Sequence, residues 1–186
     1  MSKIWLLSDT HFYHANICRL SGRPWNSVEE MNSGLLENIN GMVAAEDHLY
    51  FLGDFSFGSK DKFWQCWDQI RCQNIWYILG NHCRPDFIRT TNEVRKRFRV
   101  VTKRLEENFV IDGKCYHTHM CHYPPEPEKI SDSIIYLWGH RHSKVLQHAK
   151  NSFDVGCDST EYKPISLDTI IDMYENWVPP RPRKGH

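Results

Sequence analysis

The sequence predicts an α/β (α+β-like) protein in which mixed sheets are covered by helices. Two observations predict this class. Strand-length apolar runs alternate with helical stretches in the first half, and short strands with hairpin signals fill the second. A length of 186 residues suffices for one domain with a sizeable core, and no repeat or low-complexity linker divides the chain. We expect one domain over residues 1–178 and a flexible proline- and arginine-rich tail over 179–186.

In the first half, apolar runs predict strands and capping signals predict helices. The predicted strands are Ile4–Ser8, His48–Gly53 and Ile75–Leu79. Ser27-Val-Glu-Glu30 is a capping box that precedes apolar residues at helical spacing. Ser59 can cap a second helix, and Pro85 occupies a favoured first position of a third.

The second half is richer in short strands. Asp112-Gly113 is a strong hairpin signal between the apolar runs Phe109–Ile111 and Lys114–Cys121. Further predicted strands are Ile134–Trp138, Val145–Leu146 and Phe153–Val155. Ser166 can cap a last helix that ends near Trp177.

The composition limits the kinds of partner and the compartment. Lysine plus arginine equals aspartate plus glutamate at 23 each, so a phosphate-bearing partner must be held locally rather than by a broad basic field. Seven cysteines without a CxxC pair predict reduced thiols. The N-terminus lacks a signal-peptide apolar region, and no apolar run approaches a membrane span. We therefore expect a soluble, cytoplasmic protein that does not enter a membrane.

Polar clusters follow five of the predicted strands, at the point where each strand ends. These clusters contain Asp9, His11 and His14, then Asp54, then Asn81 and His82, then His122, and finally His140 and His142. Each motif alone also fits a structural role, since Asp54 could cap a helix and Asn81 could occupy a left-handed turn. Because ligands gather beyond the carboxyl ends of strands in open α/β sheets, the ordered series favours one shared site.

These residue types suit a pair of divalent metal ions. Aspartate, asparagine and histidine offer the oxygen and nitrogen donors that manganese, iron, zinc and nickel accept. One carboxylate can bridge two cations, and two cations roughly 3.5–4 Å apart can clamp the attacking and leaving oxygens of a phosphate. If residues 9–11 are extended, Asp9 and His11 share one face and can reach one ion, as can His140 and His142.

The motifs occur in a fixed order along the chain: Asp9-x-His11, Gly53-Asp54, Gly80-Asn81-His82, His122 and Gly139-His140-x-His142. This series resembles the calcineurin-like metallophosphoesterase superfamily. The similarity to its small bacterial and phage members is closer and covers about residues 3–170. It includes the stretches His14-x-Asn16-Ile17, Arg23-Pro24-Trp25, Leu52-Gly-Asp-Phe-Ser-Phe-Gly58, His122-Tyr-Pro124 and Val155-Gly-Cys-Asp158.

The resemblance implies a four-layer αββα sandwich, with two mixed sheets flanked by helices, and a dinuclear centre. One metal ion would take Asp9, His11 and His142, the other would take Asn81, His122 and His140, and Asp54 would bridge them. A hydroxide bridging the two ions would attack phosphorus, and His82 would protonate the leaving oxygen as general acid. Manganese is the favoured metal. Cys83 departs from the family, which commonly has an acidic residue there.

Four residues next to these motifs are candidate substrate contacts: His14, Arg23, Asn81 and Arg141. The arginines could hold phosphate oxygens by bidentate contact, although Arg141 could instead be structural because it lies between two expected ligands. Trp25 is a candidate for stacking on a substrate base. We expect Cys83, Cys121 and Cys157 to fill small buried gaps.

The sequence favours a metal-dependent phosphoric ester hydrolase whose substrate is a small phosphate ester or nucleotide. A phosphodiester is slightly favoured because no dense arginine cluster is present to bind a dianionic monoester. The alternatives are a phosphomonoesterase, a nuclease that acts on short single strands, and a catalytically silent metal-binding scaffold. Long duplexes are disfavoured, since binding them requires many lysines and arginines.

Overall fold

The computed structural model describes residues 2–84 and 98–179. Their helices are α1 (Ile17–Ser21), α2 (Val28–Met42), α3 (Lys60–Trp67) and α4 (Leu167–Glu175), with a short 3-10 helix at Pro127–Lys129. Their strands are β1 (Ile4–Leu7), β2 (His48–Phe51), β3 (Asn74–Ile78), β4 (Phe98–Thr102), β5 (Arg104–Ile111), β6 (Lys114–Cys121), β7 (Ile134–Trp138), β8 (Gln147–Ala149), β9 (Ser152–Asp154) and β10 (Ile165–Ser166). The helix predicted at Pro85 and residues 180–186 of the tail lie outside the described residues.

The strands form two mixed sheets. The first has the order β10-β1-β2-β3-β4, in which β1 to β4 are parallel and β10 is antiparallel to β1. The second has the order β5-β6-β7-β9-β8, with β6, β7 and β9 parallel between two antiparallel edge strands. The predicted α/β class with mixed sheets is confirmed.

The first sheet is buried on both faces, because successive apolar side chains along its strands point to opposite faces. On one face, Leu7, Phe51 and Tyr77 belong to an apolar cluster with α2 and α3. On the other face, Leu6 and Ile78 belong to a second cluster, which is completed by the following residues of the second sheet and α4: Met120, Leu137, Phe153 and Ile170. The two sheets therefore share an apolar interior.

The second sheet is less covered than the resemblance implies. Val110 on the outward face of β5 is 72% exposed, and the outward Cys115 and His117 of β6 are also exposed. These outward positions of β5 and β6 are therefore open to solvent among residues 2–84 and 98–179. The fourth, helical layer over β5 and β6 stays a prediction. No helix of the described residues is long and apolar enough to cross a bilayer.

Local signals placed most elements correctly. Ser27, Ser59 and Ser166 each cap a helix by accepting a backbone N–H bond. Asp112 and Gly113 both have positive φ, 50° and 78°, as a type I′ hairpin turn requires. The strand predicted at Val145–Leu146 was wrong in position, since β8 begins at Gln147. Strands β4 and β10 and helix α1 were not predicted.

Candidate metal centre

The polar side chains that follow β1, β2, β3, β6 and β7 meet at one place, where the two sheets come together. Asp9 N donates to Gly53 O and His11 N donates to Asp54 O, both at 3.0 Å, which joins the segments after β1 and β2. His140 N donates to Asp9 Oδ2 at 2.8 Å and so ties the end of β7 to the first sheet. The expected convergence of strand ends is therefore present.

One group of possible metal ligands consists of Asp9, His11 and His142, the set expected for the first ion. Their ligand atoms all lie within 4.8 Å of one another. His11 Nε2 is 3.8 Å from Asp9 Oδ1 and 3.8 Å from Asp54 Oδ2. Asp9 and His11 are fully buried, and His142 is half-buried.

A second group consists of Asp9, Asp54 and His122, and it continues into Asn81 and His140. His122 Nε2 is 3.1 Å from Asp54 Oδ2 and 2.9 Å from Asn81 Oδ1. His140 Nδ1 is 3.0 Å from Asn81 Oδ1 and 3.3 Å from His122 Nε2. Asp54 Oδ2 therefore lies between His11 and His122, where a bridging ligand is expected, and Asp9 belongs to both groups.

The residues present fit divalent cations, because several buried atoms that can act as metal ligands have no hydrogen-bond partner among the described residues. Asp9 Oδ1 and both ring nitrogens of His11 have no hydrogen-bond partner in the part of the chain that the structure describes. A buried polar atom left in this state costs about 1–3 kcal/mol, which a coordinated cation would offset. The donor set of carboxylate, amide and imidazole groups suits borderline divalent metals.

Two neighbouring groups fix which nitrogen of a histidine faces the centre. His122 Nδ1 is 2.9 Å from Leu52 O, and because a carbonyl only accepts, Nδ1 carries a proton and Nε2, which faces Asp54 and Asn81, is the nitrogen that can bind a cation. His142 Nδ1 is 2.8 Å from Asp158 Oδ2, which orients the other ring nitrogen in the same way. Metal-binding histidines are commonly held by such outer contacts.

Asp158 also holds Arg23, so the expected substrate role of Arg23 was wrong. The guanidinium donates to both carboxylate oxygens of Asp158, at 3.0 and 2.8 Å, and to the carbonyls of Asp9 and Thr10 at 2.8 Å. Its side chain is fully buried and cannot reach a substrate. Burial would raise the pKa of Asp158, but hydrogen bonds from His142 and Arg23 lower it to about 2. The stretch Val155–Asp158 is part of the resemblance to the metallophosphoesterase superfamily, but no role was predicted for the Asp158 carboxylate.

Three other expected substrate contacts each lie beside an aromatic ring. His14 is half-buried, with its ring 5.7 Å from that of His11, and its expected contact with substrate stays a prediction. The Arg141 guanidinium lies 5.7 Å from the Trp138 ring, and its expected substrate contact stays a prediction. The Trp25 ring packs against the Tyr162 ring at 4.8 Å, and its stacking on a substrate base stays a prediction.

Burial and neighbouring charges set the protonation of the site. Burial would raise the pKa of Asp54, but hydrogen bonding and charge from His122, with the charge of His11, lower it below its usual value. Burial lowers the pKa of His11, although Asp9 acts in the opposite direction, and burial with the charge of His122 lowers that of His140. An ionised carboxylate and neutral imidazoles are the states that bind cations. Burial would lower the pKa of His122, but Asp54 raises it, so a cation would compete with a proton there.

Five candidate ligands adopt left-handed backbone conformations. Their φ angles are 58° at Asp9, 50° at His11, 53° at Asp54, 76° at His140 and 49° at His142. The expectation that residues 9–11 are extended was therefore wrong, and alternating left-handed turns bring Asp9 and His11 together instead. Such strained residues cluster at functional sites and persist where the surrounding structure holds them.

Glycine permits the closest approaches at the centre. A Cβ at Gly139 would collide with the carboxylate of Asp9 and the side chain of Ser8. A Cβ at Gly80 would collide with the carboxylate of Asp54. These two positions allow the ends of β7 and β3 to lie directly against the ligands.

Cys83 and His82 have separate roles after β3. The Cys83 thiol accepts from Gly80 N at 3.1 Å and lies 3.2 Å from Tyr77 Oη, and burial raises its pKa, so it stays neutral. It fills a buried gap, as expected. His82 N donates to Asp54 Oδ1 at 2.9 Å, while the exposed His82 ring lies 5.5 Å from the His11 ring.

No protein-family model matches the chain. The uncharacterized protein MJ1445 of Methanocaldococcus jannaschii is 33% identical to it over 183 residues, which cover 94% of this chain and 93% of that protein. This chain belongs to the family of that archaeal protein. The gene 66 protein of Mycobacterium phage D29 is 25% identical to this chain, over 96% of this chain and 92% of the phage protein.

Two solved structures resemble this member of the MJ1445 family. A protein of unknown function from Aquifex aeolicus, AQ665, superposes with a TM-score of 0.65 at 22% identity, covering 93% of this chain and all (100%) of that one, which shows a common fold. The phosphopantetheinyl hydrolase of Mycobacterium tuberculosis gives a TM-score of 0.34 over 70% of this chain, too low to establish a common fold.

Proposed function

We propose that this chain is a dinuclear metal-dependent phosphoesterase of the calcineurin-like superfamily that acts on a phosphodiester such as a nucleotide. One observation carries the proposal: side chains from five strand ends meet around buried donor atoms of Asp9 and His11 that have no partner among the described residues. Asp9, His11 and His142 would hold one divalent ion, and Asn81, His122 and His140 the other. Asp54, which lies between the two groups, would bridge them.

The chemistry of hydrolysis divides between the cations and the chain. When bound, two divalent ions, with manganese favoured, would supply a nucleophilic water and neutralise charge on the phosphate oxygens. The water oxygen joins phosphorus, the ester P–O bond breaks, and the leaving oxygen takes a proton. His82 would give that proton, and the position of its exposed ring beside His11 supports this role. A general acid of this kind contributes roughly 10²–10⁴-fold.

The positions of the two candidate arginines support a phosphodiester as the substrate. Arg23 is fully buried against Asp158, and Arg141 lies over Trp138. Arg23 is therefore not available for the bidentate contact that favours the dianionic group of a monoester, and the contact of Arg141 with Trp138 competes with such a contact. A monoanionic diester requires less positive charge from the chain.

The test compares substrates and one matched pair of variants. Protein loaded in turn with manganese, iron(II), zinc and nickel is assayed on bis(p-nitrophenyl) phosphate, p-nitrophenyl phosphate and cyclic nucleotides. We expect faster turnover of the diesters. Asp54→Asn should lower kcat/KM at least about 100-fold and reduce bound metal, because it removes the bridging charge.

Asp112→Asn is the control, since it makes the same chemical change at an exposed hairpin turn where asparagine is favoured. Full activity in Asp54→Asn would refute the site. Metal binding without turnover of any ester would instead favour the silent scaffold.

A further inference from the structure

Two aromatic side chains are exposed in the described part of the chain, and both border the candidate centre. Phe57 is 51% exposed and Tyr123 is 50% exposed. The Phe57 ring lies 4.3 Å from the His14 ring and 5.3 Å from the His82 ring. The Tyr123 ring lies 4.7 Å from the His140 ring and 5.3 Å from the His122 ring. The Tyr123 ring therefore adjoins two candidate ligands, whereas the Phe57 ring adjoins two histidines that lie beside His11.

The backbone is anchored at both positions. Phe57 N donates to Phe12 O at 2.9 Å, and the preceding Ser56 pairs with Phe12 in a parallel bridge. Tyr123 directly follows His122, and its carbonyl accepts a bond from the Cys121 thiol. The backbone positions from which the rings project are thus set before any ligand arrives, which lowers the entropy lost on binding.

We propose that Phe57 and Tyr123 are stacking subsites for a phosphodiester that bears an aromatic or heterocyclic ring on each ester arm. This inference rests on the phosphoesterase function proposed above. Phe57 packs against His82, the proposed proton donor, so it receives the ring of the leaving arm. Tyr123 packs against His140 and His122, so it receives the ring of the arm that stays on phosphorus.

Stacking explains why large rings are held open to solvent here. A planar group placed on each ring would remove apolar surface from water. Stacking of a base on an aromatic side chain strengthens binding about fivefold or more and tolerates any base, because every base has a flat face. With a formal net charge of zero, the chain must gain affinity from such local contacts rather than from a broad field.

The test uses two diesters with the same leaving group, bis(p-nitrophenyl) phosphate and methyl p-nitrophenyl phosphate. The first has a ring on both arms, and the second has a ring on the leaving arm alone. Tyr123→Ala should lower kcat/KM about fivefold or more on the first and less than about twofold on the second. Phe57→Ala should lower it on both. Phe57→Tyr and Tyr123→Phe should restore the rates, with bound metal unchanged throughout.

Val110→Ala is the control, since Val110 is an exposed apolar residue on the outward face of β5. It should alter neither rate. Equal losses on both diesters in Tyr123→Ala, or no loss in Phe57→Ala, would overturn the assignment of the subsites.

A second readout separates this inference from the phosphoesterase proposal. If the metal-loaded wild type hydrolyses neither diester, the proposed function fails, and saturation-transfer NMR with thymidine 5′-monophosphate and ribose 5-phosphate decides the subsites. Saturation of the thymine ring protons that is lost in the Phe57→Ala/Tyr123→Ala double variant would support stacking. Undiminished saturation in that variant would overturn it.

Discussion

Asp158 connects the candidate centre to a buried ion pair. Its Oδ2 lies 2.8 Å from His142 Nδ1 and 2.8 Å from Arg23 Nη2. With its pKa lowered to about 2 by these contacts, the carboxylate is ionised at neutral pH. The same side chain therefore orients one candidate ligand and neutralises a guanidinium that has no access to water.

Replacing this carboxylate should destabilise the protein as well as the site. In Asp158→Asn, the buried charge of Arg23 loses its counter-ion, which costs about 3 kcal/mol by comparison with other broken buried pairs. For a chain of this size, the midpoint of thermal unfolding should fall by roughly 6–12 °C. Calorimetry of the metal-free protein measures the shift without any contribution from bound cations. An unchanged midpoint would show that Arg23 does not depend on Asp158, and Asp112→Asn should shift it by less than about 2 °C.

Residue identity predicted the ligands better than it predicted their supports. The candidate metal ligands were predictable because aspartate, asparagine and histidine follow apolar runs, each at the end of a strand. The partner of Arg23 lies 135 positions away, so no local pattern pairs it with Asp158. Arg23 therefore resembled a substrate contact until its environment was known. The left-handed turns at Asp9 and His11 were equally hidden, since they depend on bonds to the segment after β2.

Among the elements, those with local signals were predictable and those defined by a partner were not. Serine caps and the Asp112-Gly113 turn act through bonds to their immediate neighbours. Strand β10 is two residues long and exists only because Ile165 and Ser166 pair with β1. Strand β8 likewise takes its position from β9 rather than from the apolar pair Val145–Leu146.

A test at the scale of elements compares two glycines with opposite surroundings, Gly139 at the end of β7 and Gly41 within α2. In Gly139→Ala, the new methyl group would press on the Asp9 carboxylate, and metal affinity should fall at least about tenfold. In Gly41→Ala, within α2, the methyl group meets nothing, and stability should rise by about 0.4–1 kcal/mol. Metal titration and thermal unfolding of both variants measure these effects. Unimpaired metal binding in Gly139→Ala would show that β7 does not need its close approach to Asp9.

At the scale of the whole molecule, the candidate centre joins the two sheets. Asp9, Asp54 and Asn81 follow strands of the first sheet, whereas His122 and His140 follow strands of the second. The shared apolar interior packs the sheets together without specifying how their ends align. Cations held by ligands from both sheets would therefore stabilise the native arrangement of the two sheets.

Metal binding should consequently raise the stability of the folded chain. Because the ligands are assembled only in the native state, a cation at about 100 times its dissociation constant should contribute about 2.7 kcal/mol. The unfolding midpoint should rise by roughly 5–11 °C for a chain of this size, and a chelator should reverse the rise. Asp54→Asn should lose most of this response, whereas Asp112→Asn should keep it. An equal rise in Asp54→Asn would place the bound metal elsewhere. A ligand that binds only the native state must stabilise that state. No rise in the midpoint with manganese, iron(II), zinc or nickel would therefore contradict a metal centre between the sheets.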